Sequence, residues 1–382
     1  MTEFASSAQS TLGLEWELAL VDRATGELSS RAQEVLELIP ERAPELLNTT
    51  DGAHITGEFL DNTVELVTGV CSTVAEGVGQ LQNAAESLRA VTDELGLDFF
   101  SAGTHPFSKS LDQPVANKER YQKMLDRTQY WGRQMVIYGV HVHVGLDHRD
   151  KVLPVIDALT NYYPHLLALS ASSPFWEGHD TGYASQRALM FQQLPTAGLP
   201  FNFATWDDYE DYLNDMLTTG VIDDPSENRW DIRPVPHYGT VEMRICDGLP
   251  SLADVAALGA LTQCLVEHTA RELDAGRRVE PLKPWHVQEN KWRAARYGLD
   301  AIIIQNNAND ELLVTEDLQR LLSELEPIAE DLNCVEELGQ VQRIIESGAS
   351  YQEQRSIAEN HGGDLREVVS YLVDQARTPW IR

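Results

Sequence analysis

The sequence predicts an α+β protein built on an antiparallel sheet, followed by a mainly helical second part. Three observations lead there. Segments 12–21 and 238–246 alternate apolar and polar residues with period two, as half-buried strands do. Strand-like and helix-like segments interleave through the first part of the chain, without the regular β-α-β alternation that a parallel sheet requires. From about residue 251 onward the apolar spacing becomes helical.

In segment 12–21, Leu12, Leu14, Trp16, Leu18 and Leu20 share one face, and Glu15 and Glu17 share the other. Residues 62–68, 97–102 and 136–146 read as further strands. Segment 74–95 reads as an amphipathic helix, with Val74, Val78, Leu81, Leu88, Val91 and Leu95 near helical spacing. Segments 151–171 and 206–219 read as helices, the second opened by Thr205 as N-cap before Trp-Asp-Asp. The helical part comprises 252–275, 286–297, 315–331, 334–347 and 363–377. No internal repeat or low-complexity linker interrupts the chain.

Composition narrows the function. The formal charge is −31, from 60 acidic and 29 basic residues. This disfavours nucleic acid and anionic membranes as partners, since both are bound through basic patches. No apolar run approaches the roughly 18 to 20 residues that span a bilayer. The opening Met-Thr-Glu-Phe lacks a basic segment followed by an apolar one. A cytoplasmic location is expected. Four cysteines, Cys71, Cys246, Cys264 and Cys334, stand far apart with no C-x-x-C pair, and are expected to be buried free thiols.

The informative acids lie inside apolar strands. Glu15 and Glu17 project from one strand face, about 7 Å apart at the backbone, with core behind them. Glu58 and Glu65 differ by seven positions, so one straight strand would send them to opposite faces. A bend or bulge between 59 and 63 is expected to reunite them, and Asp61-Asn62 is suitable turn chemistry. His141 and His143 share a face in Gly-Val-His-Val-His-Val-Gly, where Gly139 and Gly145 leave room for a ligand to approach. Glu242 and Arg244 share a face in Gly-Thr-Val-Glu-Met-Arg-Ile-Cys-Asp, and Cys246 follows on it, although a structural role suits that thiol better. Each feature alone fits a solvated strand face, an ion pair or a hydrogen-bonded histidine. Their recurrence on four strands describes a hard-cation site for Mg²⁺ or Mn²⁺ rather than zinc. Such a site can clamp a triphosphate, and Arg244 beside it can stabilise a moving phosphoryl group. No Walker A sequence is present.

These residues resemble a family. G-L-E-W-E-L, then G-E-F-L-D-N-T-V-E-L-V-T-G-V-C, H-V-H-V-G, T-G-Y-A-S-Q-R, L-P-T-A-G-L-P, G-T-V-E-M-R-I-C-D and K-W-R-A-A-R-Y-G-L occur in order from about residue 12 to 375. The set is similar to the type 2 glutamate–cysteine ligases, also called carboxylate–amine ligases, of the glutamine synthetase-like superfamily. The resemblance implies a curved antiparallel sheet of about six strands with helices on its convex side. It implies one catalytic domain over 12–378, preceded by a flexible N-terminus, 1–11. It implies that ATP phosphorylates the γ-carboxylate of glutamate and that an amine such as that of L-cysteine attacks the acyl phosphate, releasing ADP and phosphate. Carried over by motif, Glu15, Glu17, Glu58, Glu65, His141 and Glu242 are the expected metal ligands. His143 is expected nearer the substrate, Arg244 on phosphate, and Arg233 and Arg187 as further phosphate or carboxylate contacts. Where many members have a third glutamate in the first motif, this chain has Trp16, which faces the core by parity. The partners are then small molecules, the acceptor amine is not specified, and a homo-oligomer is left open. Two other readings compete: a metal-dependent amidohydrolase, and an acid-rich binding protein that keeps the fold without the chemistry.

Overall fold

A computed structural model describes residues 4–47 and 52–380. The alternating N-terminal segment forms β1 (Leu12–Asp22), the strand around which the sheet is organised. The other sheet strands are β2 (His54–Gly57), β3 (Thr63–Val67), β4 (Leu97–Phe100) and β5 (Val140–Gly145). A short hairpin, β6 (Phe175–Trp176) and β7 (His179–Asp180), stands apart. Then β8 (Ile232–Val235) and β9 (Thr240–Met243) complete the sheet. Its order is β2-β3-β1-β5-β9-β8, with β4 also paired to β1, giving seven strands rather than about six. Every pairing is antiparallel.

One face of this sheet is core. Leu12, Leu14, Trp16, Leu18 and Leu20 are each at most 1% exposed and pack in one cluster with Val140, Val142, Val144, Val241 and Met243. The helices Val74–Glu94, Val152–Ser170 and Leu252–Asp274 supply the other half of that cluster. Each buried leucine or valine contributes about 1.5–3 kcal/mol. Trp16 also satisfies its indole N–H, which donates to the Leu249 carbonyl at 2.9 Å. The helix Val74–Glu94 begins where Thr73 accepts from the Glu76 N–H, and it comes close to β1 because residue 77 is glycine. A Cβ there would lie 3.1 Å from Leu14 Cδ1.

The opposite face is open only in part. Beyond the two glutamates, Ala19 and Val21 of β1 pack with Phe100, Tyr138 and Val368, Val369, Leu372 and Val373 of the helix Leu365–Arg377. The polar face is therefore confined to the end of β1 that carries Glu15 and Glu17. This is a tertiary fact, since alternation runs the length of the strand.

Differences from the sequence reading have local causes. β2 and β8 were not expected; each has four residues and lies at a sheet edge, where Pro234 is tolerated because no neighbour needs its N–H. The strand expected at 238–246 starts only at Thr240, because residues 236–239 make the β8–β9 turn, with the Gly239 N–H on the Val235 carbonyl at 3.0 Å. The helices Ala32–Arg42, Glu119–Thr128 and Ser350–Asn360 were also unforeseen. Of the segment expected to be flexible, 1–11, residues 1–3 lie outside the described residues. From Ala5 on it is bonded to the sheet end: the Ala5, Ser7 and Ser10 N–H groups donate to Pro236, Leu146 and Gly145. Among the described residues no helix is long and apolar enough to cross a membrane.

Candidate active site

Register, more than parity, builds the site. Across β3, β1, β5, β9 and β8 the directly opposed pairs are Glu65 with Glu17, Glu15 with His141, His143 with Glu242, and Glu242 with Arg233. Each strand contributes its polar side chains to one patch. Glu15 stands at the centre. Its Oε2 lies 2.6 Å from His141 Nδ1, and its Oε1 lies 3.0 Å from His143 Nε2. The Thr240 hydroxyl is 3.1 Å from His143 Nδ1 and orients that ring. Around His141, Glu17, Glu65 and Glu242 approach to 3.9, 4.0 and 3.9 Å.

Glu58 joins them through the expected bend. β2 stops at Gly57, Leu60 bridges to Val115, and residues 61–62 turn with the Thr63 N–H on the Leu60 carbonyl. Glu58 and Glu65 consequently lie near one patch, where each feels the charge of Glu15.

Crowding shows in the acidities. Burial, then the charge of Glu58, pushes the Glu17 carboxyl up to about 7. Burial and the charge of Glu15 raise Glu58, and burial with Glu15, Glu58 and Glu17 raises Glu65 well above the carboxylate range. Glu15 goes the other way: burial opposes its ionisation, but His143 and His141 outweigh that and hold it well below. Burial and then Arg244 bring His141 down to about 4, so it is a neutral donor set for a cation. For His143 burial is outweighed by Glu242 and Glu15, and it rises.

Arginines close one side. Arg233 Nε donates to Glu242 Oε2 at 2.5 Å, and Arg244 donates to Glu242 Oε1. Burial of Glu242 is overcome by these two cations, which hold its carboxyl far below the usual range. The Arg244 Nε is buried without a hydrogen-bond partner among the described residues, a donor left over for something else. Arg187 is held by protein groups, and its Nε, like that of Arg244, has no hydrogen-bond partner among the described residues. It is 3% exposed and its guanidinium donates to the Arg244 and Ile245 carbonyls. It thereby supports the backbone that carries Arg244. Its own backbone is tied by Ser173, which with Ser172 and Ser185 surrounds the buried Asp247.

The two glycines flanking the histidines admit protein, not ligand. A Cβ at Gly139 would lie 2.3 Å from an Arg187 guanidinium nitrogen, and one at Gly145 would lie 2.3 Å from Thr11 Oγ1. The Gly139 N–H also donates to Glu17. Cys246 turns into the core once the strand ends at Met243; it is fully buried, and burial pushes its thiol up to about 12. All four cysteines are buried and free.

Sequence reasoning missed a supporting cluster. Asp231, fully buried, accepts from Tyr163 Oη at 2.8 Å and Lys291 Nζ at 2.7 Å. Its carbonyl accepts the Arg244 N–H at 2.8 Å. Lys291 stands in the quoted K-W-R-A-A-R stretch, but nothing in one sequence pairs it with Asp231.

The residues present suit hard cations. Donor atoms of Glu15, Glu65 and His141 lie within 4.8 Å of one another, as do those of Glu15, His143 and Glu242. Carboxylates this close cannot all ionise without added positive charge, which is the condition for binding divalent ions through oxygen. Both histidines contact Glu15, His141 through Nδ1 at 2.6 Å and His143 through Nε2 at 3.0 Å, and each completes one of the two groups, so this geometry alone does not single out the first histidine.

A seven-stranded antiparallel sheet, cored by helices on one face and carrying this patch on the other, is a glutamine synthetase-like fold. Solved structures share the fold. The glutamate–cysteine ligase of Francisella tularensis in complex with AMP superposes with a TM-score of 0.69 at 14% identity, over 98% of this chain and 90% of that one. A bifunctional glutathione synthetase from Pasteurella multocida gives 0.58 at 16% identity, over 97% of this chain and 51% of the other. The family follows from sequence. The family model of glutamate–cysteine ligase family 2 matches residues 11–371. A protein of Arthrobacter sp. (strain FB24), assigned by name as a glutamate–cysteine ligase 2-1, is 62% identical over 375 residues, 98% of each chain. One of Paenarthrobacter aurescens (strain TC1), assigned by name as a glutamate–cysteine ligase 2-2, is 60% identical over the same length and coverage. The chain belongs to glutamate–cysteine ligase family 2 and is an ATP-dependent ligase of that type.

Proposed function

We propose that this ligase transfers the γ-phosphoryl group of ATP to the γ-carboxylate of glutamate and couples the acyl phosphate to an amine such as that of L-cysteine. The observation that carries the reading is the cross-strand row of Glu65, Glu17, Glu15, His141, His143 and Glu242, edged by Arg233 and Arg244. Glu15, Glu17, Glu58, Glu65, His141 and Glu242 are the residues that would hold Mg²⁺, or Mn²⁺. Bound there, the cations would supply charge neutralisation for a triphosphate.

The chain's own contributions follow from its geometry. Arg244 is fixed through its backbone by Asp231 and Arg187, and through its guanidinium by Glu242. Its unpartnered Nε is available to an oxygen of the moving phosphoryl group, where fixed positive charge counts most. Arg233 has Nε on Glu242 and one amino group on the Ser226 and Asn228 carbonyls, and its other amino group, without a hydrogen-bond partner among the described residues, can contact an anion. Thr240 holds the ring of His143 at the substrate side of the patch.

The bonds balance as follows. A γ-carboxylate oxygen forms a bond to phosphorus as the bond to the ADP oxygen breaks. The amine nitrogen then bonds to the acyl carbon, the carbon–oxygen bond to phosphate breaks, and the amine loses a proton. One carboxylate oxygen therefore leaves in phosphate. Glutamate labelled with ¹⁸O in its γ-carboxylate is expected to deliver label to released phosphate in the presence of an amine. Phosphate without label would overturn this order of chemistry.

A further inference from the structure

A second charged feature lies beside the site. The helix Glu119–Thr128 packs over the start of the β2–β3 bend, with Tyr121 edge-on to Phe59 and Lys118 Nζ bonded to the Gly57 carbonyl. Between this helix and the 223–229 loop runs a cavity of about 720 Å³ that reaches Phe59, the residue after Glu58, and Arg120 on its wall bears on the Glu58 charge. Arg120, Lys123, Arg127 and Arg229 line it. So do Asp223, Asp224 and Glu227.

The basic groups are not used up in the fold. Among the described residues the Arg127 side chain has no hydrogen-bond or carboxylate partner, in a chain with 60 acids to 29 bases. Arg229 is partly buried, reaches the Glu227 carboxylate only at 3.7 Å, and donates to the Glu227 carbonyl at 3.2 Å and to the Met124 sulfur at 3.8 Å. Burial, and the neighbouring charges of Arg244, Arg233 and Arg127, disfavour its protonated form, with Glu227 opposing. A file of arginines thus runs from the helix toward Glu242. Glu242 neutralises the Arg233 and Arg244 end of that file, whereas Arg229 has a carboxylate only at 3.7 Å and Arg127 has none beside it among the described residues, so this end can accept an anion.

The anion is not a polyphosphate by this chemistry, because Asp223, Asp224 and Glu227 share the wall and would repel one. A group carrying both charges meets both sets. The other cavity on the patch, about 660 Å³, contrasts with it. That one is lined by Glu15, Glu65, His54, His143 and Tyr238 with threonines and apolar side chains, and by no lysine or arginine.

We propose that the cavity between Glu119–Thr128 and the 223–229 loop is the amino-acid subsite, with Arg127 and Arg229 as specificity-determining residues for the α-carboxylate of the substrate. The acids of the loop face its α-ammonium group, and the side-chain carboxylate points toward Glu58. This rests on the proposed use of an amino acid as the activated substrate, but it concerns binding and can be tested without turnover.

The experiment is calorimetric titration of the Mg²⁺-supplemented protein with L-glutamate, γ-aminobutyrate (no α-carboxylate) and glutarate (no amine), and separately with a non-hydrolysable ATP analogue. The wild type is expected to bind glutamate at least ~10-fold more tightly than γ-aminobutyrate, since charge-assisted bonds are lost with the carboxylate. Arg127→Gln and Arg229→Gln are each expected to weaken glutamate by ~10-fold or more and to shrink its advantage over γ-aminobutyrate. Nucleotide-analogue affinity should stay within about 3-fold. Arg133→Gln, on the exposed surface beyond the helix and not lining the cavity, controls for general charge loss and should change neither. A merely structural role for Arg229 would weaken all three small ligands alike and leave the glutamate preference intact. Unchanged preference, no glutamate binding, or a loss confined to the ATP analogue overturns the proposal. Absence of ADP release with intact, Arg127-dependent glutamate binding would instead sink the reading of the reaction and spare the subsite.

Discussion

Lys291→Met tests how far the buried support of Arg244 reaches. In the native protein the Lys291 ammonium, 5% exposed, lies 2.7 Å from the Asp231 carboxylate, which is fully buried. Removing the ammonium leaves that carboxylate with the Tyr163 hydroxyl alone, since Asp231 Oδ1 already lacks a partner among the described residues. Breaking one side of a buried pair costs about 3–5 kcal/mol. With about 2.1 cal/mol/K of unfolding entropy per residue over 382 residues, that lowers Tm by about 4–6 °C. The double variant Asp231→Asn with Lys291→Met removes the stranded charge and should recover a large part of the loss. Urea unfolding of the four proteins, read as a double-mutant cycle, measures the coupling. Activity gives a second reading. The Asp231 carbonyl holds the Arg244 N–H, so a shift of Asp231 displaces the phosphoryl-facing arginine and lowers kcat more than it changes substrate KM. A loss below about 1 kcal/mol for Lys291→Met, or a double variant no better than the single, would refute the argument that this pair is a desolvated, mutually dependent unit.

Glu15→Gln, which keeps volume but loses the charge shared between His141 and His143, is expected to abolish turnover while near-native circular dichroism and a cooperative melt persist; full activity in EDTA would dismiss the cation site altogether. Arg244→Lys keeps the charge without the planar fork, and steady-state kinetics should show kcat down by roughly 10–100-fold with the amine KM within about 3-fold. Asp317 is 4% exposed as a side chain; burial alone would raise its carboxyl, but bonds from His165, Gln305 and Arg320 hold it depressed. Its folded pKa lies well below the unfolded value near 3.9, so its stabilisation is fully present above about pH 4 and is lost progressively as pH falls from there toward the depressed folded value. Asp317→Asn should therefore destabilise at pH 7 and narrow its gap to wild type by about pH 3, a convergence that urea melts at both pH values can confirm or deny.

Side-chain parity is a local property of an extended backbone, and for that reason it was legible. Leu12 through Leu20 going inward, Trp16 among them, and Glu15, Glu17, His141, His143 and Glu242 going outward all followed from alternation within single strands. So did the need for a bend before Glu65, because its spacing from Glu58 conflicts with period two. The ordered motifs added the family. Long-range choices were not legible. Only pairing register brought Glu15 against His141 and Glu242 against both His143 and Arg233, and for the first two pairs that register joins segments about a hundred residues or more apart. Ala19 and Val21 share the parity of the glutamates yet are covered, because the helix Leu365–Arg377 returns to pack on that end of β1. Gly139 looked like room for a ligand until Arg187 filled it. Arg127 and Arg229 carry no pattern at all, being a helix residue and a loop residue that meet only when the β2–β3 bend seats Glu119–Thr128 beside the 223–229 loop. The sequence by itself thus determined which face of each strand would hold charge, since that depends on neighbours two positions away. The tertiary structure decided which of those charges share one site and which basic groups border it, since a side chain's distant neighbours are selected by packing of the whole core.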